Sequence, residues 1–189
     1  LAFGTRIIRS AHDMNGPIED IPARLAKMRI TGFEIPKIAC MPKNLSDVTR
    51  MFRQAANLEP GQQILCAMGS LGLPTRILAD KMNSYLTFVS PASVEQLKCI
   101  GHIDPLTMNK TYAFRSIDKD TNIYGIIGYP LEATESPVLH NAGYRNHGMN
   151  AVYIPIRVET VEEAMDFADA VGIKVLAVTV PHKEGILSH

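Results

Sequence analysis

The chain has 189 residues, with 46% hydrophobic and 20% charged content, which is ordinary for one large or two small globular domains. Lysine plus arginine and aspartate plus glutamate balance at 19 each, leaving no electrostatic footprint for nucleic acid or an anionic membrane surface. Cys40, Cys66 and Cys99 fit neither a disulfide framework nor a CxxC metal pattern, and no apolar run approaches the roughly 18 residues of a membrane span, so a reducing compartment is expected.

The first residues, Leu1 to Arg6, lack the basic region and apolar core of a signal peptide and run straight into a strand. Arg6 to Asp13 reads as that strand, and Asn15-Gly16-Pro17 as a turn. Ile18 to Ile30 carries Ile18, Ile21, Leu25 and Met28 near helical spacing, with Gly32 as its expected C-cap. The run from Phe33 to Pro42 is a second strand. Asn44 or Ser46 caps a helix to about Ala56, with Leu45, Val48, Met51 and Phe52 as its apolar stripe. Gln63 to Met68 is a third strand, Thr75 to Met82 a helix, and Tyr85 to Val89 a fourth strand. Strand–helix units with short loops imply parallel strands joined by right-handed crossovers.

Ser90 to Asp120 breaks this rhythm, with weak helical pattern at Val94 to Leu97, and reads as a domain junction. The rhythm then restarts. Ile123 to Gly128 is a strand, Ser136-Pro137 opens a helix to about His147, and Ala151 to Val158 is a strand. Thr160 and Glu163 form a capping box for a helix to about Ala170, and Lys174 to Val180 is the last strand.

One position stands out chemically. Lys37 lies in the middle of an almost wholly apolar strand, where period-2 alternation puts Phe33, Ile35, Lys37 and Ala39 on one face. An ammonium on a buried strand face is costly, which favours the neutral amine, a nucleophile able to form a Schiff base with a ketone. The structural alternative is an edge-strand lysine that blocks aggregation, an assignment consistent with Pro36 beside it. A local bulge at Pro36 that aims the lysine inward is a further expectation. His12 and Met68 fall towards strand C-terminal ends, where α/β proteins build their sites.

Two motif sets resemble known families. Ile8-Arg9-Ser10-Ala11-His12-Asp13, Pro36-Lys37-Ile38-Ala39-Cys40-Met41-Pro42, Ala67-Met68-Gly69 with Arg76, and Leu86-Thr87-Phe88 resemble type I 3-dehydroquinate dehydratase, in the order and spacing of strands five to eight of its (β/α)8 barrel. Gly125-Ile126-Ile127-Gly128-Tyr129-Pro130, Ser136-Pro137-Val138-Leu139-His140-Asn141 and Val178-Thr179-Val180-Pro181-His182-Lys183-Glu184 resemble the N-terminal, substrate-binding part of shikimate dehydrogenase. The implied fold is α/β: part of a barrel over residues 1–110, then an α/β substrate-binding domain over residues 111–189.

The resemblance also implies roles. Lys37 forms an imine with 3-dehydroquinate, His12 moves the protons, Arg76 binds the carboxylate, and Met68 lines the substrate. Lys183 contacts the hydroxyl or ketone of 3-dehydroshikimate, and Thr134, Ser136 and Thr179 bind that substrate. NADP is the implied cofactor, held outside these residues because no GxGxxG fingerprint occurs here. No metal is implied, since His140, His147 and His182 read as helix and loop residues without clustered carboxylates. The implied setting is cytoplasmic, or a plastid in a plant.

Departures from the two patterns are local. His102 stands about where a glutamine of the dehydratase's closing loop is expected, Thr134 replaces a serine, and Ala177 replaces a substrate-binding asparagine. A glutamate that supports the catalytic histidine is not found. The sequence therefore reads as an internal piece of a longer enzyme, inactive by itself, with further strand–helix units expected before it and a glycine-rich βαβ unit after it. A non-catalytic relative resembling fungal quinate repressors is the alternative, although such a protein needs none of His12, Lys37, Arg76 or Lys183. Another Schiff-base aldolase barrel would explain Lys37 but not the second half.

Overall fold

The computed structural model describes residues 4–91, 103–131 and 134–188. Apolar strand runs and capped amphipathic helices build two parallel three-stranded sheets, ordered β1-β2-β3 and β5-β4-β6. In the first half, β1 (Ile7–Asp13), β2 (Glu34–Cys40) and β3 (Ile64–Ala67) alternate with helices α1 (Ile21–Met28), α2 (Leu45–Ala55) and α3 (Leu73–Ile77). In the second half, α4 (Pro105–Lys110) precedes β4 (Asn122–Gly128), α5 (Ser136–Asn146), β5 (Ala151–Arg157), α6 (Val161–Val171) and β6 (Ile173–Val178).

The helix ends follow local chemistry. Asp20, Asn44 and Thr160 accept the amide hydrogens of Ala23, Asp47 and Glu163, capping α1, α2 and α6. Ser46 therefore lies inside α2 rather than at its cap. Gly32 is not the C-cap of α1, because Arg29 already leaves the helix in an extended conformation; the positive φ of Gly32 (+83°) serves the turn into β2. Gly172, at φ +76°, ends α6.

Three expectations for the first sheet are corrected. Pro36 makes no bulge: β1 and β2 stay in continuous register through Arg9↔Pro36, and the β3 ladder begins one residue later at Lys37↔Ile64. β2 is the central strand, which removes the edge-strand reading of Lys37. Tyr85 to Val89 is not a strand. It is held to β3 through a single parallel bridge, Gln63↔Ser84, and the Tyr85 amide bond to the Gln63 carbonyl. The Ser84 hydroxyl accepts the Leu65 amide at 3.1 Å and donates to the Leu86 carbonyl, so a side chain takes the place of the backbone ladder.

One face of β2 and β3 packs Ile38, Cys40, Leu65 and Ala67 against α1 and α2 in the main hydrophobic cluster. That cluster continues into the second half, where Phe52 of α2 meets Phe167 of α6 edge to face at 5.6 Å between centroids. Around this contact Arg53 pairs with Asp166, and Ser46 donates to Glu163 at 3.2 Å. The carboxylate expected to close a capping box is thus directed to the neighbouring half. In the junction, α4 buries Met108, and burial pushes the Tyr112 phenol up to about 12. Val94 to Leu97, Cys99 and His102 lie outside the described residues.

Glu34 opens β2 and is buried. Burial pushes its carboxyl up, but hydrogen bonds from the Thr31 amide and hydroxyl outweigh this and hold it at about 2 against an ordinary 4.5. A depressed carboxyl stabilises the fold above its unfolded value, and that contribution is lost as pH falls from 4.5 towards about 2. Glu34→Gln is therefore expected to be less stable than the parent near neutral pH, with the difference shrinking on acidification. Urea midpoints of the two proteins at about pH 6 and about pH 3 check this; an equal gap at both pH values would contradict it.

Candidate active site

The opposite face of the first sheet carries polar chemistry. In register, His12 pairs with Ala39 and Ala39 with Cys66, while Lys37 lies two residues earlier on the same face of β2. Lys37 Nζ stands 3.3 Å from His12 Nε2 and 4.1 Å from the centroid of the Phe88 ring, a cation–π arrangement. These residues, with Met14, Met68 and Arg76, line a cleft of about 290 Å³. Lys37 is partly buried and His12 is exposed at the rim.

Arg76 reaches the cleft from α3 and is 1% exposed. Its placement follows from how α3 is tied to β3. The Thr75 hydroxyl accepts the Ala67 amide at 3.0 Å and donates to the Gly72 carbonyl at 2.7 Å. A Cβ at Gly72 would run into the Ala67 carbonyl, so only glycine permits this approach. Arg76 Nη1 donates to the Phe88 carbonyl at 3.3 Å, which also steadies the ring over Lys37. Burial lowers the pKa of the guanidinium. Burial likewise raises that of the Cys66 thiol, against the opposing pull of Arg76 and Lys37. The cleft thus joins an amine, an imidazole and a guanidinium: a nucleophile, a proton carrier and a fork for a carboxylate.

Phe88, Cys66, Ala39 and Met14 were not singled out as site residues by the sequence. Ala39 was legible from strand period and Cys66 from the pairing of neighbouring strands. Phe88 lies in the Leu86-Thr87-Phe88 stretch that carries part of the resemblance, but it enters the cleft from a segment that forms no strand, so strand period does not place its ring over Lys37.

The second set of sequence candidates is looser. Thr179 follows β6, its amide bonded to the Ile127 carbonyl, and Tyr129 donates its amide to Val180. Thr134 Oγ1 accepts the Ser136 amide at 3.3 Å. Ser136 is the first residue of α5 and does not cap it. Lys183 is exposed. Among the described residues no hydrogen bond or ion pair joins Thr134 or Ser136 to Thr179 or Lys183. His182 is buried with Nε2 3.0 Å from the Val158 carbonyl, and His140 stacks on Tyr153 at 4.3 Å. Ala177 lines a separate cleft of about 340 Å³ with Tyr124, Tyr144 and Tyr153.

Gly125 and Gly128 do not form a nucleotide cradle. They lie inside β4, where added Cβ atoms would meet Ile156 Cδ1 at 2.9 Å and Thr179 Cγ2 at 2.5 Å, so they serve close packing and do not fit a dinucleotide phosphate. Among the described residues there is no group of three or more His, Cys, Asp or Glu placed to hold a metal ion, and no helix is long and apolar enough to cross a membrane.

Comparison with known proteins separates the two halves. The type I 3-dehydroquinase family model matches residues 1–119, and that of the shikimate dehydrogenase substrate binding domain matches residues 126–189. The chain is similar to the chloroplastic bifunctional 3-dehydroquinate dehydratase/shikimate dehydrogenase of Arabidopsis thaliana, 33% identical over 96% of this chain and 30% of the relative. It is also similar to the shikimate biosynthesis protein AroDE of Chlamydia pneumoniae, 31% identical over 97% of this chain and 38% of the relative. The chain therefore spans about a third of the length of these curated relatives. A crystal structure of type I 3-dehydroquinate dehydratase from Clostridium difficile, solved with covalently modified comenic acid, matches 59% of this chain and 46% of its own, at 29% identity and a TM-score of 0.51. The Lys37 cleft lies wholly within the first matched region, and the chain belongs to the type I 3-dehydroquinase family, with its residues 126–189 similar to the shikimate dehydrogenase substrate binding domain.

Proposed function

We propose that the protein carrying this chain dehydrates 3-dehydroquinate to 3-dehydroshikimate and reduces the latter to shikimate, residues 1–110 belonging to the first activity and residues 111–189 to the second. The observation that carries the reading is the 3.3 Å approach of Lys37 Nζ to His12 Nε2 in a cleft that also holds the buried Arg76.

In the dehydration, the Lys37 amine attacks the substrate ketone carbon, and loss of water leaves an iminium. The iminium withdraws electrons from the adjacent carbon and acidifies its hydrogen. His12, within hydrogen-bond reach of the lysine, takes that proton and returns it to the departing hydroxyl, which leaves as water. Hydrolysis of the product imine restores the amine. Arg76 holds the carboxylate, and the cationic cleft favours an anionic substrate. Cys66 and Phe88 exclude water from the imine.

In the second activity, Thr134, Ser136 and Thr179 bind 3-dehydroshikimate, and Lys183 contacts the oxygen that changes state. Several relatives are named shikimate dehydrogenase (NADP(+)), and NADP is the proposed reductant. The glycines of β4 do not hold the nucleotide, which would be bound outside these residues.

The test uses the full-length gene product. It is incubated with 3-dehydroquinate, reduced with borohydride and digested. An adduct mass on the peptide containing Lys37 is expected. A folded protein that acquires no adduct there, or acquires it elsewhere, overturns the dehydratase assignment. Oxidation of NADPH on addition of 3-dehydroshikimate tests the second activity independently.

A further inference from the structure

Arg157 has no part in the chemistry above, yet it touches both halves. It is the last residue of β5, in the second half. Its Nη1 donates to Ser70 Oγ at 2.8 Å, in the turn of the first half that follows β3. Its Nη2 donates to the Tyr129 hydroxyl at 3.3 Å, and the guanidinium lies over the Tyr129 ring, 4.6 Å from the centroid. Ser70, Leu73, Leu131 and Pro155 enclose a small cavity beside it.

Ser70 occupies a short, constrained path. Met68, which lines the Lys37 cleft, lies two residues before it. Gly69, between them, takes φ +73°, and a Cβ there would press on Met41 Sδ at 3.2 Å. The helical turn Ser70–Gly72 leads directly into α3, which presents Arg76. Backbone set at Ser70 is therefore transmitted both to the Met68 wall and to the buried guanidinium. A planar fork that bonds two hydroxyls and stacks on a ring fixes this geometry in a way that a lysine ammonium does not.

We propose that Arg157 is a positioning residue for the Lys37 cleft, supplied by the dehydrogenase half: by holding Ser70 it sets the turn that places Met68 and Arg76 for the substrate. This rests on the dehydratase reading given above.

Arg157→Ala, Arg157→Lys, Ser70→Ala and the Arg157→Ala/Ser70→Ala double variant are made in the full-length gene product. Arg157→Ala is expected to raise KM for 3-dehydroquinate by about three- to tenfold with kcat within about twofold, the scale of coupling carried through single contacts. Ser70→Ala should do the same, the two changes should not add in the double variant, and Arg157→Lys should recover little of the loss. Amide hydrogen exchange in the peptide spanning residues 67–77 should accelerate in Arg157→Ala. A purely structural role would lower thermal stability without this KM-against-kcat split or the non-additivity with Ser70.

Unchanged KM and unchanged exchange in Arg157→Ala would overturn the inference. If Arg157→Ala does not fold, Ser70→Ala decides, since it removes the same hydrogen bond and leaves β5 intact. If the parent protein shows no dehydration, the functional reading fails, and the exchange measurement still decides whether Arg157 orders the turn.

Discussion

Replacing Lys37 by methionine in the full-length gene product is expected to abolish dehydration of 3-dehydroquinate, lowering kcat by on the order of 10⁴-fold or more, the scale seen when a covalent nucleophile is removed. Without the amine no iminium forms, and the hydrogen that His12 would remove stays as weakly acidic as in a simple ketone. His12, Arg76 and Phe88 remain, but they act on a substrate that has lost its electron sink. Methionine suits the test because it keeps the length and apolar stem of lysine on the central strand. The fold should therefore survive, and thermal unfolding of the variant should stay close to that of the parent. The readout is the ultraviolet absorbance of the conjugated product, followed with borohydride trapping. A variant that keeps its fold and retains turnover within about tenfold of the parent would mean that Lys37 is not the nucleophile.

Arg76→Met is expected to have the second largest effect, and a larger one on binding than on stability. Removing a buried, charged partner of a ligand carboxylate costs about 2–5 kcal/mol, so KM for 3-dehydroquinate should rise by about two orders of magnitude. The free protein should not suffer in the same measure. The guanidinium is 1% exposed, and burial already disfavours its charge. Methionine fills the same place with an apolar stem and removes the cost of burying that charge, which offsets part of what the lost polar contacts, the 3.3 Å bond to the Phe88 carbonyl among them, take away. Steady-state kinetics and thermal unfolding on the same preparation separate the two. A variant with parental KM would remove Arg76 from the binding role, whereas one that unfolds would show the arginine to be structural.

Much of the first half was legible because its signals are local. Strand β2 announces itself as an apolar run covered on both faces, and the cap at Asn44 is a side-chain-to-backbone bond spanning three residues, as is that at Thr160 in the second half. Lys37 was conspicuous because a cation there conflicts with its neighbours. Tyr85 to Val89 has an equally good strand pattern and forms none, because the Ser84 hydroxyl takes the Leu65 amide that a ladder would have used. That competition is decided by where Ser84 sits against β3, which strand propensity does not encode. In the second half the motif residues are individually visible, but they come in two segments, Thr134 with Ser136 and Thr179 with Lys183, and among the described residues no hydrogen bond or ion pair joins these residues of one segment to those of the other.

The chain by itself determined most of its strands and helices, the parallel α/β character of both halves and the conspicuous place of Lys37, since these depend on periodicity, capping chemistry and one costly charge. Only the tertiary structure decided that β2 is central, that His12, Ala39 and Cys66 lie abreast, and that Phe88 covers the amine. It also decided that Arg157 of one half reaches Ser70 of the other. Each of these is a contact between residues distant in sequence, set by strand register and by the packing of α2 on α6, and neither leaves a trace in any single stretch of sequence.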